Sequence, residues 1–439
     1  MGKGIILGID FSMDFTQLAY LDDEGNPQSI CVGTEDNFLI PTVACYNSEL
    51  KEWSAGEEAV NKGRLKNSRI YSELPKLFAE EDNQSGEEHS EEIFGKSENS
   101  KKEDEKSFQN GEHDTQEVMS AFISYLLKLA VNYCNGRLIK NILITVEDVT
   151  PAVLEGLTEI FVSLGYAEED IKVMSHSESF VYYMLNQNKD IWINNVYFLN
   201  FNRYDFVCRR LNVMKGRKPH VADVSLQSLH DSISMKTLKE DSEAADTMLA
   251  EYMEEKLKKH VVSGVYLSGE GFYTDGWEKT LAVICRNRRV FKGNNLIVKG
   301  AAYAAKEFFY TSSLSQYLIS CKGRTRVKIT MAVKHKDRDN SITLSNIGDY
   351  WYQARSKAEC IMENPTEAVF EIHDVMNHTN ETFKIDLTDF PKRPPKTTRI
   401  EVRFKYIAEN KFEIEIKDLG FGEFFKSSGM SVKKEITLE

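Results

Sequence analysis

The chain has no uninterrupted apolar run long enough to span a bilayer and no charged-then-apolar leader, so it reads as a soluble, unexported protein with no membrane partner. Its opening Met-Gly is followed at position six by Ile6, where a myristoylation signal needs Ser or Thr. Seven cysteines, at 31, 45, 134, 208, 285, 321 and 360, are scattered and never form a Cys-x-x-Cys pair. That spacing excludes a zinc ribbon and a disulfide framework and fits reduced thiols in a cytoplasm. The nine histidines include no His-x-His or His-x-x-x-His, which leaves a metal centre without its usual ligands. Ser177 and Ser179 lack the Gly-x-Ser-x-Gly turn of a hydrolase nucleophile. A basic stripe is missing too: the net charge is −13, which argues against nucleic acid as a partner.

What is present is a chain of 439 residues, 41% hydrophobic, enough for two or three ordinary domains. The negative charge is concentrated. Between Glu80 and Asp114 there are 13 acidic and 4 basic residues, a net of −9. The segment is rich in Glu, Ser, Asn and Lys, with few large apolar residues such as Ile93 and Phe108, so residues 79–114 are expected to be a disordered acidic insertion, a solvated loop rather than an arm for a basic partner.

The stretch Gly4 to Asp22 is an apolar run ending in Asp10, a polar turn at Ser12 to Asp14, and a second apolar run, the pattern of a β-hairpin beside a buried sheet. Asp114 or Thr115 can cap a helix with Val118, Phe122, Leu126 and Leu129 on one face; Thr150 can cap another with Pro151 at its first position. Strands are expected at Asn141 to Val146 and Ile171 to Met174, then an apolar helix at Ser177 to Leu185. The plan then repeats: a hairpin around Asn200 to Asp205, a helix at about Asp241 to Lys259, a strand at Gly264 to Leu267, the turn Ser268-Gly269-Glu270-Gly271, and a helix containing Gly300 to Ala305. From about Thr311 the pattern becomes alternation, as in Val327 to Met331, Ala368 to Ile372, Ile400 to Phe404 and Phe412 to Ile416, which predicts an antiparallel β-domain.

Several short motifs stand in one order. A Gly-Ile-Asp hairpin (Gly8 to Asp10) is followed by Ile40-Pro41-Thr42-Val43-Ala44-Cys45-Tyr46, Ala55-Gly56-Glu57-Glu58-Ala59, Ile144-Thr145-Val146-Glu147 and, near the end, Ile400-Glu401-Val402-Arg403-Phe404. In this order and spacing they resemble the DnaK-type heat-shock chaperones of the actin and sugar-kinase ATPase superfamily, over nearly the whole chain except the acidic insertion. The resemblance implies a duplicated α/β actin-like ATPase fold, with ribonuclease H-like halves, over residues 1–78 and 115–310, followed by an antiparallel β-sandwich of the peptide-binding kind over 311–439. It implies a nucleotide site at Asp10, Ser12, Met13, Asn200, Asn202, Arg203, Gly269 and Gly271, with Asp10 holding magnesium through water.

The chemistry of that site is reduced. A phosphate cradle needs glycines so that backbone N–H groups can approach the anion. Ser12, Met13 and Asp14 stand where the family has Gly-Thr-Thr, and Asn200-Phe201-Asn202-Arg203-Tyr204 where it has Asp-Leu-Gly-Gly-Gly-Thr. Asp14 adds a like charge beside a polyphosphate, which at roughly 4 Å and an effective dielectric of about 20 costs about 4 kcal/mol before screening. The family's adenine-gripping subdomain has too few residues here between Leu211 and Val261, its Asn-Glu-Pro glutamate is Ser175, and its Thr-Val-Pro proline is Glu147. His176 near this cleft reads as a helix-capping or core-edge residue. With the sequence stopping at Glu439 soon after the sandwich, the family's helical lid is expected to be missing. The expectation is a chaperone-like protein-binding or scaffold protein with lost or weak ATP hydrolysis, with Mg-ATP binding at reduced affinity if at all, and a protein or peptide partner engaged by the β-domain. An active divergent ATP-dependent chaperone and an actin-like assembling protein are the alternatives.

Overall fold

The computed structural model describes residues 4–33, 37–78, 113–216, 218–310, 312–335, 338–363, 366–374 and 379–438. Apart from His113 and Asp114, the acidic insertion expected at 79–114 lies outside the described residues. Two compact units are present: Met1–Ile191 with Phe198–Cys208 and Ser228–Ser313, and Trp192–Tyr197 with Arg209–Gln227 and Leu314–Glu439. The boundary therefore falls within two strands of the second hairpin rather than only near residue 310.

The first unit opens with strands β1 (Ile5–Phe11), β2 (Phe15–Leu21), β3 (Pro27–Ser29) and β4 (Ile40–Pro41). Next come β5 (Ala44–Asn47), β6 (Glu52–Ala55), helix α1 (Glu57–Lys62), β7 (Ser68–Tyr71) and α2 (Thr115–Tyr133). They are followed by β8 (Ile139–Val146), α3 (Pro151–Ser163), β9 (Ile171–Ser175) and α4 (His176–Leu185). One sheet has the order β3-β2-β1-β8-β9, with β4 on β2; β1 and β2 are antiparallel, whereas β1–β8 and β8–β9 are parallel. β8 is buried along almost its whole length, which is why Ile142 to Val146 reads as a continuous apolar run rather than an alternation. The helix starts are chemically marked: Asp114 accepts the N–H of Glu117, and Thr150 that of Val153 with Pro151 at the first position.

The second hairpin is β10 (Asn195–Phe201) and β11 (Phe206–Met214), followed by β12 (His220–Ser228), α5 (Met235–Glu240), α6 (Ser242–Lys259), β13 (Val262–Ser268), α7 (Glu278–Ile284), β14 (Arg289–Lys292) and α8 (Leu296–Phe309). In the first unit, α8 lies on β1 and α4 at minimal distance. A Cβ on Gly300 would sit 2.1 Å from the Ser179 carbonyl oxygen, and one on Gly8 2.7 Å from the Ala302 nitrogen. The start of α7 is capped from a distance, with buried Asp246 accepting the backbone N–H groups of Lys279 and Thr280, each at 2.8 Å.

In the second unit β12 pairs in parallel with β15 (Tyr317–Ser320). Then follow β16 (Val327–His335), β17 (Arg338–Ser345), β18 (Arg355–Met362), β19 (Glu367–Asp374), β20 (Thr379–Asp386), β21 (Thr398–Ala408), β22 (Lys411–Gly420) and β23 (Ser431–Thr437). They form two four-stranded antiparallel sheets, β17-β16-β19-β20 and β18-β21-β22-β23, around one core that includes Ile329, Phe370, Leu387, Val402, Phe404 and Ile414. Among the described residues no helix is long and apolar enough to cross a membrane, and all seven cysteines are free.

Candidate functional site: a carboxylate-lined cleft

The end of β1 and its turn to β2 supply the floor of a cleft in the first unit. Strand register places Asp10 between Gln17 on β2 and Thr145 on β8, so the three share one face of the sheet. Ser12 Oγ donates to Asp10 Oδ1 at 2.8 Å. The same carboxylate oxygen also faces His176, the first residue of α4. The helix start is fixed by a capping box in which Ser175 Oγ accepts the Glu178 N–H and the Glu178 carboxylate accepts the Ser175 N–H. The imidazole is buried, with Nε2 3.1 Å from Asp10 Oδ1 and Nδ1 2.9 Å from Glu147 Oε2. Burial is the largest single influence and pulls the ring's pKa down, but the Asp10 and Glu147 carboxylates together outweigh it and push it up to about 9. At neutral pH an imidazolium therefore sits against Asp10.

The turn between β10 and β11 meets the first turn directly: the backbone N–H of Arg203 donates to Asp14 Oδ2 at 3.0 Å. Asp14 is raised to about 6, first by burial and further by nearby Glu270, although the Arg203 N–H and guanidinium oppose the rise. The third wall is the turn after β13, where Asn294 Oδ1 accepts Ser268 Oγ at 3.2 Å and the Gly269 N–H at 3.1 Å. The two glycines of this turn answer to packing. At Gly269, φ is 98° and a Cβ would stand 2.3 Å from the Phe201 carbonyl oxygen; at Gly271 it would stand 2.3 Å from the Phe201 ring. Phe201 in turn stacks on Phe206 at 4.3 Å and meets Phe272 and Trp277 edge-on, while Trp277 Nε1 donates to the Gly271 carbonyl at 2.9 Å.

The cleft so formed has a volume of about 230 Å³. Of the residues expected at a site, Asp10, Ser12, Asn200, Asn202 and Gly269 line it together; Met13, Arg203 and Gly271 are not among its lining residues. Asp14, Gln17 and Glu270 line it as well, and among the described residues no lysine or arginine does. This donor set does not fit magnesium triphosphate. Asp10 already faces an imidazolium, the remaining carboxylates repel phosphate oxygens, and the volume is below the roughly 300–1,000 Å³ of sites for drug-sized ligands. Among the described residues no group of three His, Cys, Asp or Glu side chains is placed to hold a metal ion. Sequence reasoning missed the role of His176. Its signal was available: Glu147 and His176 both fall where the resemblance has proline, and two such replacements of opposite charge point to a pair.

In the second unit the outer face of β18-β21-β22-β23 carries a groove of about 440 Å³ lined by Arg355, Lys357, Arg403, Lys405 and Lys433, with Glu413 and Glu415. Register sets Arg355 opposite Lys405 and Lys357 opposite Arg403, two like-charge cross-strand pairs in succession.

A family model described as a domain of unknown function (DUF8552) matches residues 324–438, which contain β16 to β23. No curated protein matches the chain. A second model, described as the C-terminal part of a family of unknown function (DUF5716), matches residues 79–322. Since that match covers more than half of its 439 residues, the chain belongs to the DUF5716 family.

Proposed function

We propose that this chain is a chaperone-like scaffold that binds a protein partner through its C-terminal β-sandwich, on an ATPase-type fold that has lost nucleotide turnover. The observation that carries this reading is the cleft. Asp10, the residue the resemblance assigns to magnesium, is engaged by buried His176, and the two hairpin turns are joined to each other through Asp14 and Arg203. The partner-binding half is supported by the basic groove on β18 and β21. Like charges directly opposite each other destabilise a sheet, and here Glu401 pairs with Lys357 and Arg403 and Glu413 with Lys405, so the groove offers an acidic partner segment a mixed but mainly basic surface.

The test is a thermal shift of the full chain with millimolar Mg-ATP or Mg-ADP, alongside a turnover assay. A ligand at about a hundred times its Kd stabilises by roughly 2.7 kcal/mol, an easily read rise in melting temperature. No rise and no turnover are expected. Hydrolysis above background that Asp10→Ala abolishes refutes the reading in favour of an active divergent ATPase.

A further inference from the structure

We propose that strand β18 is a dimer edge: it pairs antiparallel, about a two-fold axis at Ala358, with β18 of a second copy of this chain, joining two four-stranded sheets into one continuous sheet. This goes beyond the scaffold reading and holds whether or not the cleft of the first unit binds nucleotide.

The two sheets of the sandwich end in four edge strands, β17, β20, β18 and β23. An edge strand leaves a row of backbone N–H and C=O groups open to another strand, and a charged residue in its core-facing row makes a further strand hard to accept. Three of the four edges carry such a residue. Arg338 of β17 stands in the row of Ile342, Glu381 of β20 in the row of Phe383 and Ile385, and Lys434 of β23 between Val432 and Ile436. β18 carries none. Its core-facing row is Ser356, Ala358, Cys360 and Met362, set opposite Phe404, Val402, Ile400 and Thr398 of β21. It holds no proline or glycine, pairs with β21 over all eight residues without a bulge, and among the described residues pairs with no other strand. The row is also incompletely covered: Ser356, Ala358 and Cys360 are half-buried, whereas Ile400, Val402 and Phe404 beside them are at most 2% exposed.

The occupant follows from the strand's own sequence, which is complementary to itself. In an antiparallel pair centred on Ala358, Lys357 of each copy lies directly opposite Glu359 of the other, Ser356 opposite Cys360, and Arg355 opposite Ile361. Two Lys–Glu pairs then form on the outer face, and the stem of Arg355 covers Ile361, which is 53% exposed in the single chain. The small Ala358 stands at the axis, where two copies of one side chain must fit together. Glu359 is not taken up within its own chain: among the described residues its nearest cations, Lys357 and Arg399, are each 3.9 Å away. Lys357 holds Glu401 at 2.6 Å, and an ammonium group has three donors to share. Sliding the copies by two residues sets Lys357 against its own copy or Glu359 against its own copy, and an odd slide turns the core-facing row outward. Charge and pattern together therefore select one register. Arg355 and Lys357 also line the mainly basic groove, so pairing brings two such grooves onto one face of the joined sheet.

The experiment is sedimentation velocity of the full chain from about 1 to about 500 μM, with hydrogen exchange of β18 followed over the same range. A monomer–dimer equilibrium is expected, in which β18 amides exchange at least about tenfold more slowly in the dimer while those of β23 are unchanged. Lys357→Glu and Glu359→Lys each set like charges opposite one another across the axis and should weaken dimerisation at least about tenfold. Mixed in equal amounts, the two variants should pair with each other, since each then offers the charge the other lacks. Ala358→Lys gives β18 the core-row lysine that β23 already carries, and should leave a folded monomer with a melting temperature close to that of the native chain. A native chain that stays monomeric throughout, single variants that dimerise as well as it does, or mixed variants that fail to pair overturns the proposal. A dimer whose β18 amides exchange as fast as the monomer's overturns it without recourse to any variant. ATP turnover by the dimer refutes only the scaffold reading.

Discussion

Replacing His176 is the most direct probe of how the cleft is held. The ring is fully enclosed between two carboxylates, Asp10 at 3.1 Å and Glu147 at 2.9 Å. Removing the cation leaves Asp10, itself 6% exposed, with the Ser12 hydroxyl but without its buried ion partner, and breaking a buried pair from one side costs about 3–5 kcal/mol. Linkage gives a second route to the magnitude. A proton held to about pH 9 rather than 6.5 corresponds to about 3 kcal/mol of folding stability. Because the folded-state pKa is raised, this stability is fully present below pH 6.5, declines above it, and is lost once the pH passes about 9. The assay is guanidinium denaturation of the native chain and His176→Gln at about pH 6 and about pH 9.5, taking the difference between the two proteins so that groups common to both cancel. The expected gap is about 3 kcal/mol at the lower pH and close to nothing at the higher. Adding Asp10→Asn to the variant should return part of the loss, since the stranded charge is then gone. A gap below about 1 kcal/mol at low pH, or the same gap at both, refutes the argument that a charged ring is what holds Asp10.

Two further outcomes follow from other parts of the molecule. In the β-sandwich, Arg393 makes a bidentate pair with fully buried Asp418, at 2.7 and 2.8 Å, and Arg393→Leu should destabilise that unit by about 3–5 kcal/mol, read as faster hydrogen exchange around residues 418–430. Burial opposes ionisation of Asp418, but Arg393, Ser428 and the Gly420 N–H outweigh it and hold its carboxyl far below the usual range, so this contribution is present above about pH 4 and is lost only in strong acid. On α8, Gly300→Ala drives a methyl to 2.1 Å from the Ser179 carbonyl and should cost about 1–3 kcal/mol, whereas Gly293→Ala meets nothing within 4 Å and should stay within about 0.5 kcal/mol. Equal melting curves for the two glycine variants would contradict the close helix–helix approach.

What could be read in the sequence is what local chemistry determines. The caps Asp114, Thr150 and Asp241 stand immediately before α2, α3 and α6, and the polar turn Ser12 to Asp14 separates β1 from β2. The strands of the sandwich alternate because one face of each sheet is buried. β12 escaped notice because residues Val221 to Val224 are all buried, Asp223 included, so no alternation marks them. The cleft was legible by composition but not by contact. Asp14 reads as a bare repulsive charge until the fold brings the Arg203 N–H to it across 189 residues. His176 finds Glu147 across 29 residues, a pairing that no local pattern contains. Gly269 and Gly271 read as survivors of a phosphate turn, yet in the fold both are required by the neighbouring Phe201.

That dependence on Phe201 bears on the direction in which such a chain can evolve. Trimming Phe201 would open a void beside Phe206, Phe272 and Trp277 and cost about 3–5 kcal/mol, while a Cβ on Gly271 collides with the Phe201 ring and one on Gly269 with the Phe201 carbonyl oxygen. For Gly271 neither step is tolerable before the other. The aromatic plug and Gly271 thus act as a ratchet, each making its partner's replacement harmful, while Gly269 is held by the Phe201 backbone whatever side chain stands there.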